Sequence, residues 1–178
     1  MSIFGNKGND SGHGESWPLR FDSFDFDVRC YNTLRCYVVF MNQQVSTHLE
    51  EPSGEPHSPD WKDHWKGGFI VTPDQVFPPP VEIHWTALDG VERSTEIDLQ
   101  AIFPERLILH DVDQEDVDPF FGQHPVERMV DILLEVNNST INLYMRSWVR
   151  TKHPVDSAIP DGKRISHRKL ILAWTKTY

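Results

Sequence analysis

The chain has 178 residues, with 17 Lys and Arg against 27 Asp and Glu, a formal charge of −10 at neutral pH. That length fits one domain that buries a core without needing metals or many disulfides. The acidic balance disfavours nucleic acid, because phosphate contacts need clustered Lys and Arg. No apolar run approaches the roughly 20 residues of a membrane span. Thirteen Pro and ten Gly favour many short elements over long helices.

The N-terminus has neither the apolar core nor the small-residue cleavage site of a secretory signal. Its Gly, Ser and Asn content predicts a mobile tail over residues 1–20 ahead of one domain at 21–178. The cytoplasm is the expected compartment, or the periplasm if a signal has been removed. Residues 28–41 alternate with a period of two, which predicts one half-buried strand. Cys30, Leu34, Cys36, Val38 and Phe40 share its inner face, and Arg29, Thr33 and Arg35 its outer face. Six residues of continuous strand span about 20 Å, too far for a disulfide. Cys30 and Cys36 therefore read as two small buried apolar residues; pairing them would need a chain reversal near Asn32 and Thr33.

Residues 46–66 form a long polar loop, whose length points to function. Gly67 and Gly68 then open a short strand ending at Val71, and Pro78, Pro79 and Pro80 make a stiff connector. Val81, Ile83, Trp85 and Ala87 form one strand face, and Val91, Thr95, Ile97 and Leu99 the next. A two-residue turn would set apolar against polar faces. A three-residue connection pairs Ala87 with Val91, Ile83 with Thr95 and Val81 with Ile97, with Gly90 left-handed. Leu107, Ile108 and Leu109 predict a further strand after a turn at Pro104. A second long loop runs from Asp111 to Arg128, with a short helical turn near Val126. A turn at Asn137 and Asn138 pairs Leu134 with Ile141, Ile132 with Leu143 and Val130 with Met145. The last run, residues 164–178, puts Leu170, Leu172 and Trp174 on one face. Seven or eight short strands with long loops and no long helix predict an all-β, antiparallel β-sandwich.

The familiar catalytic patterns are missing. No Lys-Ser/Thr follows Gly67 and Gly68, so there is no phosphate loop, and neither a Gly-x-Ser-x-Gly elbow nor a His-Glu-x-x-His zinc helix occurs. His48, His57 and His64, with Asp60 and Asp63, could hold a divalent metal, but their spacing matches no zinc pattern. No metal or cofactor is expected. His84, His110, His124, His153 and His167 read as structural or surface residues. Asp111, Asp113, Glu115, Asp116 and Asp118 place five carboxylates in eight residues. The glycine and the late Glu of a calcium loop are missing, which leaves a solvated acidic loop or a docking surface for a basic partner. Aromatics fall in the same loops. Trp61 and Trp65, and Phe120 and Phe121, are either interface anchors or caps on the ends of the sandwich.

Charge is also uneven along the chain. Residues 146–178 hold eight Lys or Arg and two Asp; residues 89–118 hold ten acidic and two basic side chains. Arg164, His167, Arg168 and Lys169 alternate across a strand, which fits ion pairing or edge protection better than a nucleic-acid patch.

The order Gly67, Gly68, Phe69, Ile70, Val71, then Pro79, Pro80, Val81, Glu82, Ile83, His84, Trp85, then Asp89, Gly90 and a strand ending Ile97, Asp98, Leu99 resembles a family of small bacterial β-sandwich proteins. These are encoded beside type VI secretion lipase effectors and act as their immunity partners. The resemblance spans residues 30–100. It implies neutralisation by binding, so no catalytic residues are carried over. Family members usually carry a lipoprotein signal, and these N-terminal residues do not show one. The expectation is a non-enzymatic binding protein whose toxin or effector partner has a basic surface. Its contacts are Asp111, Asp113, Glu115, Asp116, Asp118, Phe120, Phe121, Trp61 and Trp65. The alternatives are a metal-dependent enzyme built on loop 48–64 and a structural sandwich module of a secretion assembly.

Overall fold

A computed structural model describes residues 17–75, 77–121, 129–154 and 166–178. The strands are β1 (Ser23–Tyr31), β2 (Thr33–Phe40), β3 (Gln43–His48), β4 (Phe69–Val71), β5 (Val81–Ala87) and β6 (Glu92–Ile97). After a one-turn helix α1 (Leu99–Ile102) come β7 (Met129–Asn137), β8 (Thr140–Ser147), β9 (Val149–Arg150), β10 (Ser166–His167) and β11 (Leu170–Thr177). One sheet has the order β11-β8-β7-β1-β4, the other β3-β2-β5-β6, and β9 and β10 form a small ribbon. The all-β sandwich expected from the alternation is therefore present. β1 runs parallel to β7; every other strand pairing among the described residues is antiparallel.

The core lies between the sheets and follows the period of two. Phe24, Phe26 and Val28 of β1 meet Val130, Ile132, Leu134 and Val136 of β7 and Ile141, Leu143 and Met145 of β8. Facing them are Cys36, Val38 and Phe40 of β2 and Val81, Ile83, Trp85 and Ala87 of β5, all buried. Phe26 and Phe40 stack across the gap with ring centroids 4.1 Å apart. Each such side chain contributes roughly 1.5–3 kcal/mol by leaving water.

The expected single strand over 28–41 is instead two strands in two sheets. Asn32 adopts φ +52° and turns the chain from β1 into β2. Asn tolerates this left-handed conformation better than most residues. The corner resets the alternation: Thr33 is fully buried and Leu34 is exposed, the reverse of the expected faces. Pairing with β5 skips at Leu34. The corner also brings the Cys30 and Cys36 Cα atoms to 6.6 Å, and the two residues form a disulfide. The free-thiol expectation assumed a continuous strand, and the reversal removes that assumption.

The β5–β6 hairpin has the expected register, Val81 with Ile97 and Ile83 with Thr95. Ala87 N–H bonds to the Val91 carbonyl at 3.3 Å, and Gly90 has φ +78°. The β7–β8 hairpin has the expected faces but a register two residues away. Leu134 pairs with Leu143, Ile132 with Met145, and the turn is Asn138 and Ser139. Tertiary bonds select that turn. Asn138 N–H donates to the Tyr31 carbonyl, its carbonyl accepts Trp85 Nε1 at 2.8 Å, and its side-chain oxygen accepts Leu88 N–H at 3.0 Å.

Four further expectations change. Residues 46–48 belong to β3 rather than to the loop. The segment at 107–109 makes one bridge, Arg20 with Leu107, and no strand; the helix before it is capped by the Asp98 side chain. A bulge between Leu172 and Trp174 splits the expected face of β11, so Leu172 is exposed while Trp174 packs on the core. Residues 17–20, assigned to the tail, dock on the sandwich: Leu19 is buried and its carbonyl accepts Ile108 N–H at 2.9 Å. The helical turn near Val126, together with His124, Arg164 and most of the tail, lies outside the described residues.

Candidate binding surfaces

The acidic segment is built on a backbone seam with residues 150–152. Asp118 N–H bonds to the Arg150 carbonyl at 2.9 Å, and Lys152 N–H to the Asp116 carbonyl at 2.8 Å. Val117 bridges to Thr151 between them. Residues 114–116 form a single 3-10 turn. The Asp118 carboxylate accepts the Phe120 N–H at 2.8 Å, which turns the chain sharply. That turn sends neighbouring rings in opposite directions: Phe121 is buried at 4%, and Phe120 is 65% exposed.

The basic C-terminal third meets this loop. Lys169 Nζ lies 2.6 Å from Asp111 Oδ2. Lys152 Nζ donates to the Glu115 carbonyl. The sequence dipole is thus partly closed inside the molecule. Among the described residues, the carboxylates of Asp113, Glu115 and Asp116 have no ion pair and face solvent. Asp113 and Asp116 border a cleft of about 360 Å³ with Val112, Thr151 and His153.

Trp61 and Trp65 lie elsewhere, on the outer face of the five-stranded sheet. Trp65 is buried, and its Nε1 donates to Asp27 at 2.7 Å. Trp61 is half-buried between Tyr31 and Trp65, with ring centroids 4.6 and 5.0 Å away. Between them Lys62 reaches Glu135 Oε2 at 2.9 Å and the Tyr144 hydroxyl at 2.6 Å. Glu135 is 2% exposed. It also accepts from Tyr144, Asn142 and Asn137. Burial alone would raise its carboxyl, but the hydrogen bonds from Lys62 and Tyr144 outweigh burial and hold it below the ordinary Glu value. Burial likewise disfavours the Lys62 ammonium, and its hydrogen bonds to Tyr144 and Glu135 outweigh burial and raise that group. The Arg146 guanidinium donates to the carbonyls of Lys62 and Trp65.

The glycine pair completes the clamp. A Cβ on Gly67 would sit 2.3 Å from the Asp25 Cβ, so the chain crosses β1 there backbone to backbone. Gly68 N–H then bonds to the Phe26 carbonyl at 3.0 Å. Trp61, near Tyr31, and the acidic seam, beyond Ser147, are at opposite ends of the β7–β8 pair, about 20 Å apart by strand rise. The structure therefore does not join the predicted contacts into one surface.

His48 lies on β3 opposite Cys36, while exposed His64 approaches only Asp60, at 3.9 Å. Among the described residues no three His, Cys, Asp or Glu side chains converge as a metal site, and no helix is long and apolar enough to cross a membrane. Sequence reasoning missed a shallow cleft of about 470 Å³ on the outer face of the four-stranded sheet, bordered by Arg35, Tyr37, Leu49, His84 and Ser94. The register aligns Tyr37, His84 and Ser94 across three strands. Their alternation with buried residues was the available signal. No protein-family model, curated protein or solved structure matches the chain.

Proposed function

We propose that the chain is a non-enzymatic binding protein, most concretely a bacterial immunity or accessory protein that binds and neutralises a secreted toxin or effector with a basic surface. One observation carries this reading. Asp113, Glu115 and Asp116 project unpaired from the segment that also carries a 65%-exposed Phe120, on a backbone pinned to residues 150–152. Charges held in place steer a basic partner and cost little entropy on docking. An exposed aromatic on the same segment supplies apolar area. Phe120 with Asp113, Glu115 and Asp116 forms the contact, and buried Phe121 anchors the end of the loop in the core; Trp61 and Trp65 take no part in it.

The test pairs the chain with the product of the gene encoded beside its own. Changing Asp113, Glu115 and Asp116 together to Lys is expected to weaken binding at least tenfold in low salt with the melting temperature unchanged. Phe120→Ala is expected to speed dissociation. Unchanged affinity in both variants would remove this loop as the docking site.

A further inference from the structure

We propose that this chain matures in an oxidising compartment and meets its partner there, because its two sheets are joined by a covalent clasp that a reducing cytosol would not supply. This concerns where the protein works and holds whichever surface binds the partner.

Cys30 is the last core-facing residue of β1, and Cys36 faces the core from β2. Asn32 is the corner between them, so the Cys30–Cys36 bond crosses from one sheet to the other over a separation of six residues. The surrounding backbone is already fixed. Asn32 N–H bonds to the Gly54 carbonyl at 2.7 Å and Ser53 N–H to the Thr33 carbonyl at 3.0 Å. The Asn32 side chain donates to Asn137 at 2.9 Å. The corner thus holds the two cysteines within bonding reach.

Burial separates a structural disulfide from an exchanging one. Cys30 is 5% exposed and Cys36 0%. Thiol–disulfide exchange needs an accessible sulfur for the attacking thiolate. In the closed sandwich neither sulfur offers one, so the bond forms while the corner is still open, during folding. The two thiols give up two electrons and two protons. An incoming disulfide of the folding machinery takes them up and leaves as two thiols, and the sulfur–sulfur bond remains in the chain. Such bonds persist in oxidising compartments and are rare in the reducing cytosol.

The full chain is to be made in two compartments of one bacterial host, the reducing cytoplasm and, behind an added export signal, the oxidising periplasm. Each sample is unfolded under alkylating agent and weighed by intact mass. The exported chain is expected to take up no alkyl group until reduced, and then two. Reduction is expected to lower its melting temperature by about 5–10 °C. The Cys30→Ala, Cys36→Ala double variant is expected to melt at one temperature with or without reductant. Two thiols alkylated in the exported chain before any reduction would overturn the proposal. An unchanged melting temperature on complete reduction would do the same. Neither outcome bears on the acidic loop, whose test is partner affinity.

Discussion

At the scale of single residues, Glu135 and Lys62 illustrate how a charged pair holds a loop. Glu135 is buried under a segment whose Lys62, Trp61 and Trp65 all lie on its sheet. Lys62→Met leaves that carboxylate buried without its cation and is expected to cost about 3 kcal/mol in urea unfolding at pH 7. The folded-state value of Glu135 is lowered from 4.5, so its contribution is present above that pH and is lost as pH falls through the folded value. Asp25 has the opposite sign. Burial first, and then neighbouring Asp131, raise its carboxyl above 3.8. The folded state therefore prefers the protonated form, and this contribution is lost as pH rises through the folded value. Asp25→Asn is expected to raise the melting temperature at pH 7 and to change it little under acid. At Gly67 an added Cβ meets β1 backbone, whereas at Gly68 nothing lies within 4 Å. Gly67→Ala is expected to lose about 2–3 kcal/mol and Gly68→Ala much less, by the same unfolding measurement. The sequence marked this glycine pair as lacking a phosphate-loop partner. Its packing role was hidden, because the strand it crosses lies some forty residues earlier.

At the scale of elements, alternation decides which face is buried, but not where strands stop. It predicted the β5–β6 register because only one loop length matched both apolar faces, but Val91, expected on the inner face, is exposed and Leu99 belongs to α1 rather than to the strand. In the β7–β8 hairpin two registers separated by two residues keep the same faces, so parity could not choose between them. Asn138 makes the choice through contacts with Tyr31, Trp85 and Leu88, none of which is local in sequence. Asn138→Ala is expected to cost about 2 kcal/mol, as the left-handed φ and the bond to Leu88 are both lost. Asn138→Gly should recover the backbone part only. The corner at Asn32 followed the same rule. Its strands read as one because alternation continues on both sides, and only a single left-handed residue marks the break.

At the scale of the whole molecule, the acidic seam meets basic side chains of the C-terminal third, Lys152 and Lys169. The sequence located the acidic loop and its aromatics by composition. It could not tell which of these side chains the fold had already used. Asp111 is engaged by Lys169, Asp118 accepts the Phe120 N–H, Phe121 enters the core, Trp65 binds Asp27 and Trp61 packs between Tyr31 and Trp65, which leaves three carboxylates and Phe120. The outcome depends on loop geometry set by residues 150–152, more than thirty positions away. The most direct test of the proposed function is the association rate with the neighbouring gene's product, followed from about 0.01 to 0.5 M salt. The wild-type rate should fall steeply as salt rises, and the variant carrying Lys at positions 113, 115 and 116 should start slower and show a flat or inverted dependence. Identical rates and slopes for the two proteins would contradict docking through this loop.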